Sequence, residues 1–168
     1  IMKRVLVYGT FDLFHYGHLE LLRKAKELSN NGKLIVAVNS DSYIKTRGKT
    51  VTIPCEHRCA IISAIKYVDD VFINEYDYTE RLNDILTHNI DIVIVNEESI
   101  DKFNYLTNAG IQIMHLTRTP NISTTKIKEN IKNLLDNKVK EQEDLVYYNQ
   151  VKYFTRDFSF LREWSGLA

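Results

Sequence analysis

The chain has 168 residues, enough for one α/β domain with a sizeable core and too few for two ordinary ones. Lys and Arg total 22, as do Asp and Glu, so there is no global electrostatic attraction to nucleic acid or to an anionic membrane. Apolar residues make up 44% and there are two cysteines; no apolar run approaches the ~20 residues of a membrane span, and no signal-peptide pattern opens the chain. A cytoplasmic protein in a reducing compartment is expected.

The first stretch, Arg4–Tyr8, is a short β-branched apolar run, the pattern of a buried strand. Gly9 ends it where a tight turn or a close ligand approach needs no side chain. Two histidines three apart follow, His15 and His18, with Gly17 between them. From Gly17 the residues Leu19, Leu21, Leu22, Ala25 and Leu28 recur at helical spacing, so the spacing predicts a helix over Gly17–Asn30 with His18 in its first turn. Two imidazoles at i and i+3, beside the unpaired N–H groups of a helix N-terminus, form a site for an anion, phosphate above all.

Further strand-like runs lie at Leu34–Asn39, Val71–Ile73, Asp91–Val95 and Ile111–Leu116. Helical patterns lie at Cys55–Tyr67, Thr79–His88, about Ser99–Asn108 and Ser123–Leu135. Alternating strands and helices predict an α/β, Rossmann-like, doubly wound parallel five-stranded sheet with helices on both faces. Ligands of such sheets sit beyond the carboxyl ends of the strands, where strand order reverses. The dinucleotide fingerprint G-x-G-x-x-G is absent, which argues against NAD or FAD.

The segment GTFDLFHYGH closely resembles the signature of the HxGH nucleotidylyltransferases and, within them, the glycerol-3-phosphate cytidylyltransferases. A second signature supports it: Arg118-Thr119-Pro120-Asn121-Ile122-Ser123-Thr124-Thr125 is similar to the family's RTxxISTT at Arg118, Thr119, Ser123 and Thr124. Ser123 is an N-cap candidate, and with Thr124 and first-turn N–H groups it would make a second anion cradle. The resemblance spans about residues 2 to 136.

Between these signatures lie two weaker elements. Lys45-Thr46-Arg47-Gly48-Lys49, read alone, is a solvated loop; the resemblance implies that Arg47 and Lys49 occupy basic positions contacting nucleotide or acceptor phosphate. Glu56-His57-Arg58 is similar to a family element whose arginine lies near phosphate and near a dimer contact. Cys55 and Cys59 are neighbours at i, i+4, but two thiols beside one histidine fall short of a four-ligand zinc site. After the fourth strand this sequence departs from the family. Asn96-Glu97-Glu98-Ser99 keeps two carboxylates, which would accept from the exocyclic amine of cytosine or of adenine, but has Asn96 for glycine and Ser99 for tryptophan.

The resemblance implies transfer of CMP from CTP to a small phosphate monoester, glycerol 3-phosphate first, giving a CDP-linked product for cell-wall or capsule synthesis. Another polyol phosphate, phosphoglutamine, an adenylyltransferase and a nucleotide sensor without turnover are the alternatives. His15, His18, Lys49, Arg118 and Ser123 are the expected catalytic residues. Gly9, Thr10, Phe11, Asp12, Gly17, Arg47, Arg58, Glu97, Glu98, Thr119 and Thr124 are the expected nucleotide-binding set. Mg²⁺ is expected on the CTP phosphates with few protein ligands, Asp12 holding the turn or helping to bind it. The resemblance also implies a homodimer. A nucleotidylyltransferase domain is expected over residues 1–137, with an aromatic-rich extension over 138–168 expected to pack on the domain or on a second subunit.

Overall fold

A computed structural model describes residues 1–77 and 80–164, the side chains of residues 150–164 excepted. The chain forms two compact units, Ile1–Thr124 and Thr125–Ala168. In the first, five strands alternate with helices: β1 (Arg4–Gly9), α1 (Tyr16–Leu28), β2 (Lys33–Asn39), α2 (Asp41–Thr46), α3 (Cys55–Ser63), β3 (Asp70–Asn74), α4 (Leu82–Thr87), β4 (Ile92–Val95), α5 (Ile100–Phe103) and β5 (Gln112–His115).

All strand pairings are parallel, in the order β3-β2-β1-β4-β5. The chain leaves β1 toward β2 on one side and returns to β4 on the other, so strand order reverses at the carboxyl end of β1. Central β1 reads as a continuous apolar run because both of its faces are covered. Val5 and Val7 pack with Leu22 and Ala25 of α1 and Ile62 of α3. Leu6 faces the opposite way and packs with Ile85 of α4 and Phe103 and Leu106. Two apolar layers therefore sandwich the sheet, as expected for a doubly wound fold.

Four elements differ from the sequence reading. Residues 41–46, of which only Lys45 and Thr46 belong to the expected loop, form α2: Ser40 Oγ accepts the Tyr43 N–H and Asp41 sits in the first turn, an N-cap that local pattern could have revealed. Helix α3 ends at Ser63 rather than Tyr67, because Asp69 N–H bonds Leu34 O and draws the chain into the sheet. The stretch 97–109 is a short α-helix between two 3₁₀ segments, and its buried Phe103 and Leu106 stand three apart, the 3₁₀ period.

The last helix, α6, runs over Thr124–Trp164, far beyond Leu135. Residues 136–144 hold only charged residues, Asn, Gln and Val, with no Gly or Pro, so nothing there stops a helix. The expected domain boundary after residue 137 falls inside this unbroken helix. Packing of Tyr153, Phe154, Phe158, Phe160 and Trp164 lies outside the described side chains; Tyr147 and Tyr148 are exposed. Among the described residues no helix is long and apolar enough to cross a membrane.

Arg58 corrects a further expectation. Its side chain has no exposed surface and its guanidinium donates to Ile53 O, Thr10 O, Asn39 O and Asp41 Oδ1. It is committed to the ends of β1 and β2, not to a ligand phosphate. Removing it takes a donor from Ile53 O, Thr10 O and Asn39 O, leaves Asn39 O only the weak Cys55 S–H, and opens a cavity. We expect Arg58→Ala to lose about 3–5 kcal/mol in urea unfolding.

Candidate active site

The exit of β1 is built from strained backbone held by side chains. Phe11 (φ 55°) and Leu13 (φ 46°) are both left-handed, a conformation costly for residues with a Cβ. Between them Asp12, 4% exposed, accepts from the backbone N–H groups of Thr52 and Ile53 at 2.9–3.0 Å. Asp12 O in turn accepts from Thr124 Oγ1 at 2.8 Å. Of its two expected roles, Asp12 therefore takes the first: it holds the turn. The Phe11 ring folds back so closely that a Cβ on Gly9 would lie 2.6 Å from it, which explains the glycine.

The two histidines form a reciprocal cap on α1. His15 Nδ1 accepts the Gly17 N–H at 3.1 Å, and His18 Nδ1 accepts the His15 N–H at 3.4 Å. The rings stack with centroids 3.8 Å apart, and Phe11 and Phe14 flank His18. A Cβ on Gly17 would meet the His15 ring at 2.9 Å, so the glycine between the histidines is a space requirement. Each Nδ1 is used as an acceptor, so each neutral ring carries its proton on Nε2 and presents an N–H donor. Burial, and secondarily the neighbouring His15, pull the His18 pKa down to about 4; burial lowers His15 too. At neutral pH the pair is thus two uncharged donors.

These rings open into a cavity of about 260 Å³ at the reversal of strand order. Gly9, Thr10, Phe11, His15, Gly17 and His18 line it from the first signature; Arg118, Thr119, Ser123 and Thr124 line it from the second. Two signatures a hundred residues apart meet in one space. A second cavity, of about 200 Å³, shares Gly9, Thr10 and Asn96 with the first and is lined by Arg47, Lys49 and Arg81. Arg47 also pairs with Asp77 at 3.4 Å, and Gly48 (φ 66°) lets the chain turn back between the two cations.

Other expected residues lie elsewhere. Glu97 and Glu98 are exposed on the 3₁₀ segment after β4 and line neither cavity, whereas Asn96 lines both and Ser99 lines the second. Arg58 is buried behind the site, as described above. Conversely, Tyr8, Tyr43 and Arg81 belong to the second cavity without having stood out. The Arg81 guanidinium lies 4.1 Å from the Tyr8 ring centroid and donates to Tyr43 Oη at 3.3 Å. Tyr8 Oη is buried with no hydrogen-bond partner among the described residues, and burial raises its pKa. Only the last strand position before Gly9 hinted at Tyr8; nothing local marks Arg81.

Among the described residues no group of three His, Cys, Asp or Glu is placed to hold a metal ion. The Cys59 thiol is pushed up to about 11, by burial first and by Cys55 second, so it is a protonated packing group.

A parallel sheet with a capped histidine pair and a basic second signature at its switch point defines a nucleotidylyltransferase architecture. The chain belongs to the Cytidylyltransferase-like family, which it matches over residues 6–130. It is 41% identical over 133 residues to the glycerol-3-phosphate cytidylyltransferase of Bacillus subtilis (strain 168), covering 79% of this chain and all of that one. Identity to the enzyme of the same name from Staphylococcus aureus (strain NCTC 8325 / PS 47) is 37% over 130 residues, covering 77% and 96%. Among solved structures, the lipopolysaccharide core biosynthesis protein from Thermoplasma volcanium GSS1 superposes with a TM-score of 0.60 at 26% identity, over 71% of this chain and 99% of that one.

The cap predicts a pH dependence. The folded-state pKa of His18 lies below its unfolded value of 6.5, so the unfolded chain binds a proton first and stability falls as pH drops from 6.5 toward 4. Each proton so linked contributes at most about 1.4 kcal/mol per pH unit. Urea unfolding between pH 7 and 4.5 should show this slope, and His18→Asn should reduce it.

Proposed function

We propose that this chain transfers CMP from CTP to glycerol 3-phosphate, releasing pyrophosphate and forming CDP-glycerol. The observation that carries this reading is the convergence of His15, His18, Arg118, Thr119, Ser123 and Thr124 on one cavity, in a chain whose relatives of that activity match along their whole length. The adjoining cavity, lined by Arg47, Lys49 and Arg81, suits the phosphate of the acceptor.

The chemistry asks little covalent work of the protein. The second pKa of a phosphate monoester is near ~6, so at neutral pH its oxygen is already a nucleophile. That oxygen forms a bond to the α-phosphorus of CTP as the bond from that phosphorus to the bridging oxygen breaks. The electron pair leaves with pyrophosphate. No proton need be removed, which fits two neutral histidines that donate rather than accept at Nε2. Their N–H groups, with Ser123 and Arg118, stabilise charge on the triphosphate as it builds. Lys49 approaches the shared wall from the second cavity, and Arg118 lines the first, so cations meet the reacting phosphates from two sides. Gly9, Thr10 and Phe11 shape the wall between the two substrates and keep them in line.

Members of such families use Mg²⁺ with the nucleotide, where the ion neutralises phosphate charge. The residues present suit an ion held through the nucleotide: Asp12 is spent on the Thr52 and Ile53 N–H groups, and no carboxylate cage stands nearby among the described residues. The reading includes a second copy of the chain as partner and a place in the cytoplasm.

Pyrophosphate release from MgCTP with glycerol 3-phosphate is the direct test, with MgATP and other phosphate monoesters in parallel. Release with CTP and glycerol 3-phosphate alone is expected; a preference for ATP or for another acceptor would displace the reading. His18→Ala, Arg118→Ala and Ser123→Ala should each lower kcat about 10²–10³-fold while circular dichroism stays native. Lys49→Ala full turnover would exclude it from the machinery.

A further inference from the structure

Two asparagines outside both signatures stand at the carboxyl edge of the sheet, beside the site. Asn39 ends β2 and Asn74 ends β3, and they are register partners across that parallel pair. Gly9 pairs with Val38, so Thr10 leaves β1 at the same level. Asparagine is depleted in strands, and Asn74 is 0% exposed. A buried amide in such a place is destabilising unless its hydrogen bonds are used.

The bonds of this ladder run one way. Asn74 Nδ2 donates to Tyr76 O at 3.1 Å and to Asn39 Oδ1 at 2.9 Å. Asn39 Nδ2 donates onward to Thr10 Oγ1 at 3.4 Å. Tyr76 O, which also accepts from Arg81 Nε, anchors the polarity because a carbonyl can only accept. Asn74 must therefore turn Nδ2 toward it, and Asn39 must receive with Oδ1 and offer its own Nδ2 to Thr10. Flipping Asn39 would set two NH₂ groups against each other; flipping Asn74 would set its oxygen against Tyr76 O. Asn74 Oδ1 is left buried with no partner among the described residues, which is what holding this orientation costs.

The relay ends on a hydroxyl at the junction of the two cavities. Thr10 lines both of them, whereas Asn39 lines the second alone. With its oxygen accepting from Asn39, Thr10 must aim its proton elsewhere, and that proton meets no acceptor among the described residues. We propose that Asn74 and Asn39 are positioning residues that fix the Thr10 hydroxyl as a hydrogen-bond donor to the phosphoryl group in transfer. This rests on the CMP-transfer reading, in which the reacting phosphorus lies between the two cavities. A donor aimed in advance needs no reorganisation as charge builds, and long contacts of a substrate-free site tighten when substrate binds.

A double-mutant cycle tests the role, with pyrophosphate release from MgCTP and glycerol 3-phosphate as the assay. Thr10→Val should lower kcat about 10²-fold with KM nearly unchanged. Asn39→Ala and Asn74→Ala should each lower kcat about five- to tenfold, the worth of one hydrogen bond. In the Thr10→Val background neither should lower it further, because both act through the hydroxyl. Equal losses in the two backgrounds overturn the proposal. So does an Asn39→Ala effect confined to the KM of glycerol 3-phosphate, which would make Asn39 a direct acceptor contact. Should Asn74→Ala fail to fold, the Asn39 and Thr10 variants complete the cycle. The relay also has a readout apart from turnover. In ¹⁵N NMR of the full chain, the Asn39 side-chain amide signals, identified by their loss in Asn39→Ala, should move in Thr10→Val. Unmoved signals overturn the proposal whatever the activity. Moved signals in a chain that releases no pyrophosphate with any nucleotide would sink the CMP-transfer reading and leave the relay standing.

Discussion

One buried guanidinium holds the working end of this sheet together. Arg58 reaches from α3 to carbonyls at the exits of β1 and β2, Thr10 O and Asn39 O, and neutralises its charge on Asp41 at the start of α2. Those carbonyls lie where the strands stop pairing; without the guanidinium, Thr10 O would lose its donor and Asn39 O would keep only the weak Cys55 S–H. A lysine could not serve them together, because only the planar fork of arginine presents several donors in fixed directions. The cost of burying the cation is offset by four hydrogen bonds, one of them to a carboxylate, and the result is a fixed platform from which the β1 exit can turn.

Upon that platform the turn stores strain and the histidines carry two duties. Two departures into left-handed backbone, at Phe11 and Leu13, are held by the Asp12 between them, whose carboxylate gathers N–H groups from the loop before α3. The same turn delivers His15 to the cap of α1. Because both Nδ1 atoms are consumed by backbone donors, the capping requirement itself sets the tautomer that faces the cavity. The helix cap and the donors that face the cavity are thus one arrangement. Acid that protonates the ring would remove the cap and the neutral donor together.

The departure at Asn96–Ser99 falls on the walls of the two adjoining cavities. Asn96 lines both spaces and Ser99 the second, while Glu97 and Glu98 point the local charge to the surface. Asn96 and Ser99, where the family resemblance expects glycine and tryptophan, alter the walls of the two cavities and leave the histidine pair and the second signature in place.

Sequence alone determined the five strands, the parallel doubly wound sheet and the two signatures, because apolar period, capping chemistry and a glycine forced between two rings are local properties. His15, Gly17 and His18 could be read from ten residues. Tertiary structure decided what depends on meeting partners far along the chain. It turned Arg58 from a phosphate ligand into a structural tie, since its acceptors come from three separate segments, and it assigned Asp12 to Thr52 and Ile53. It also brought Tyr8 and Arg81, 73 residues apart, to one cavity wall. The length of α6 stood in between: no residue from 121 to 164 is Gly or Pro, so the helix was written there, but a change in composition concealed it. A helix propagates through composition and stops only for a backbone reason.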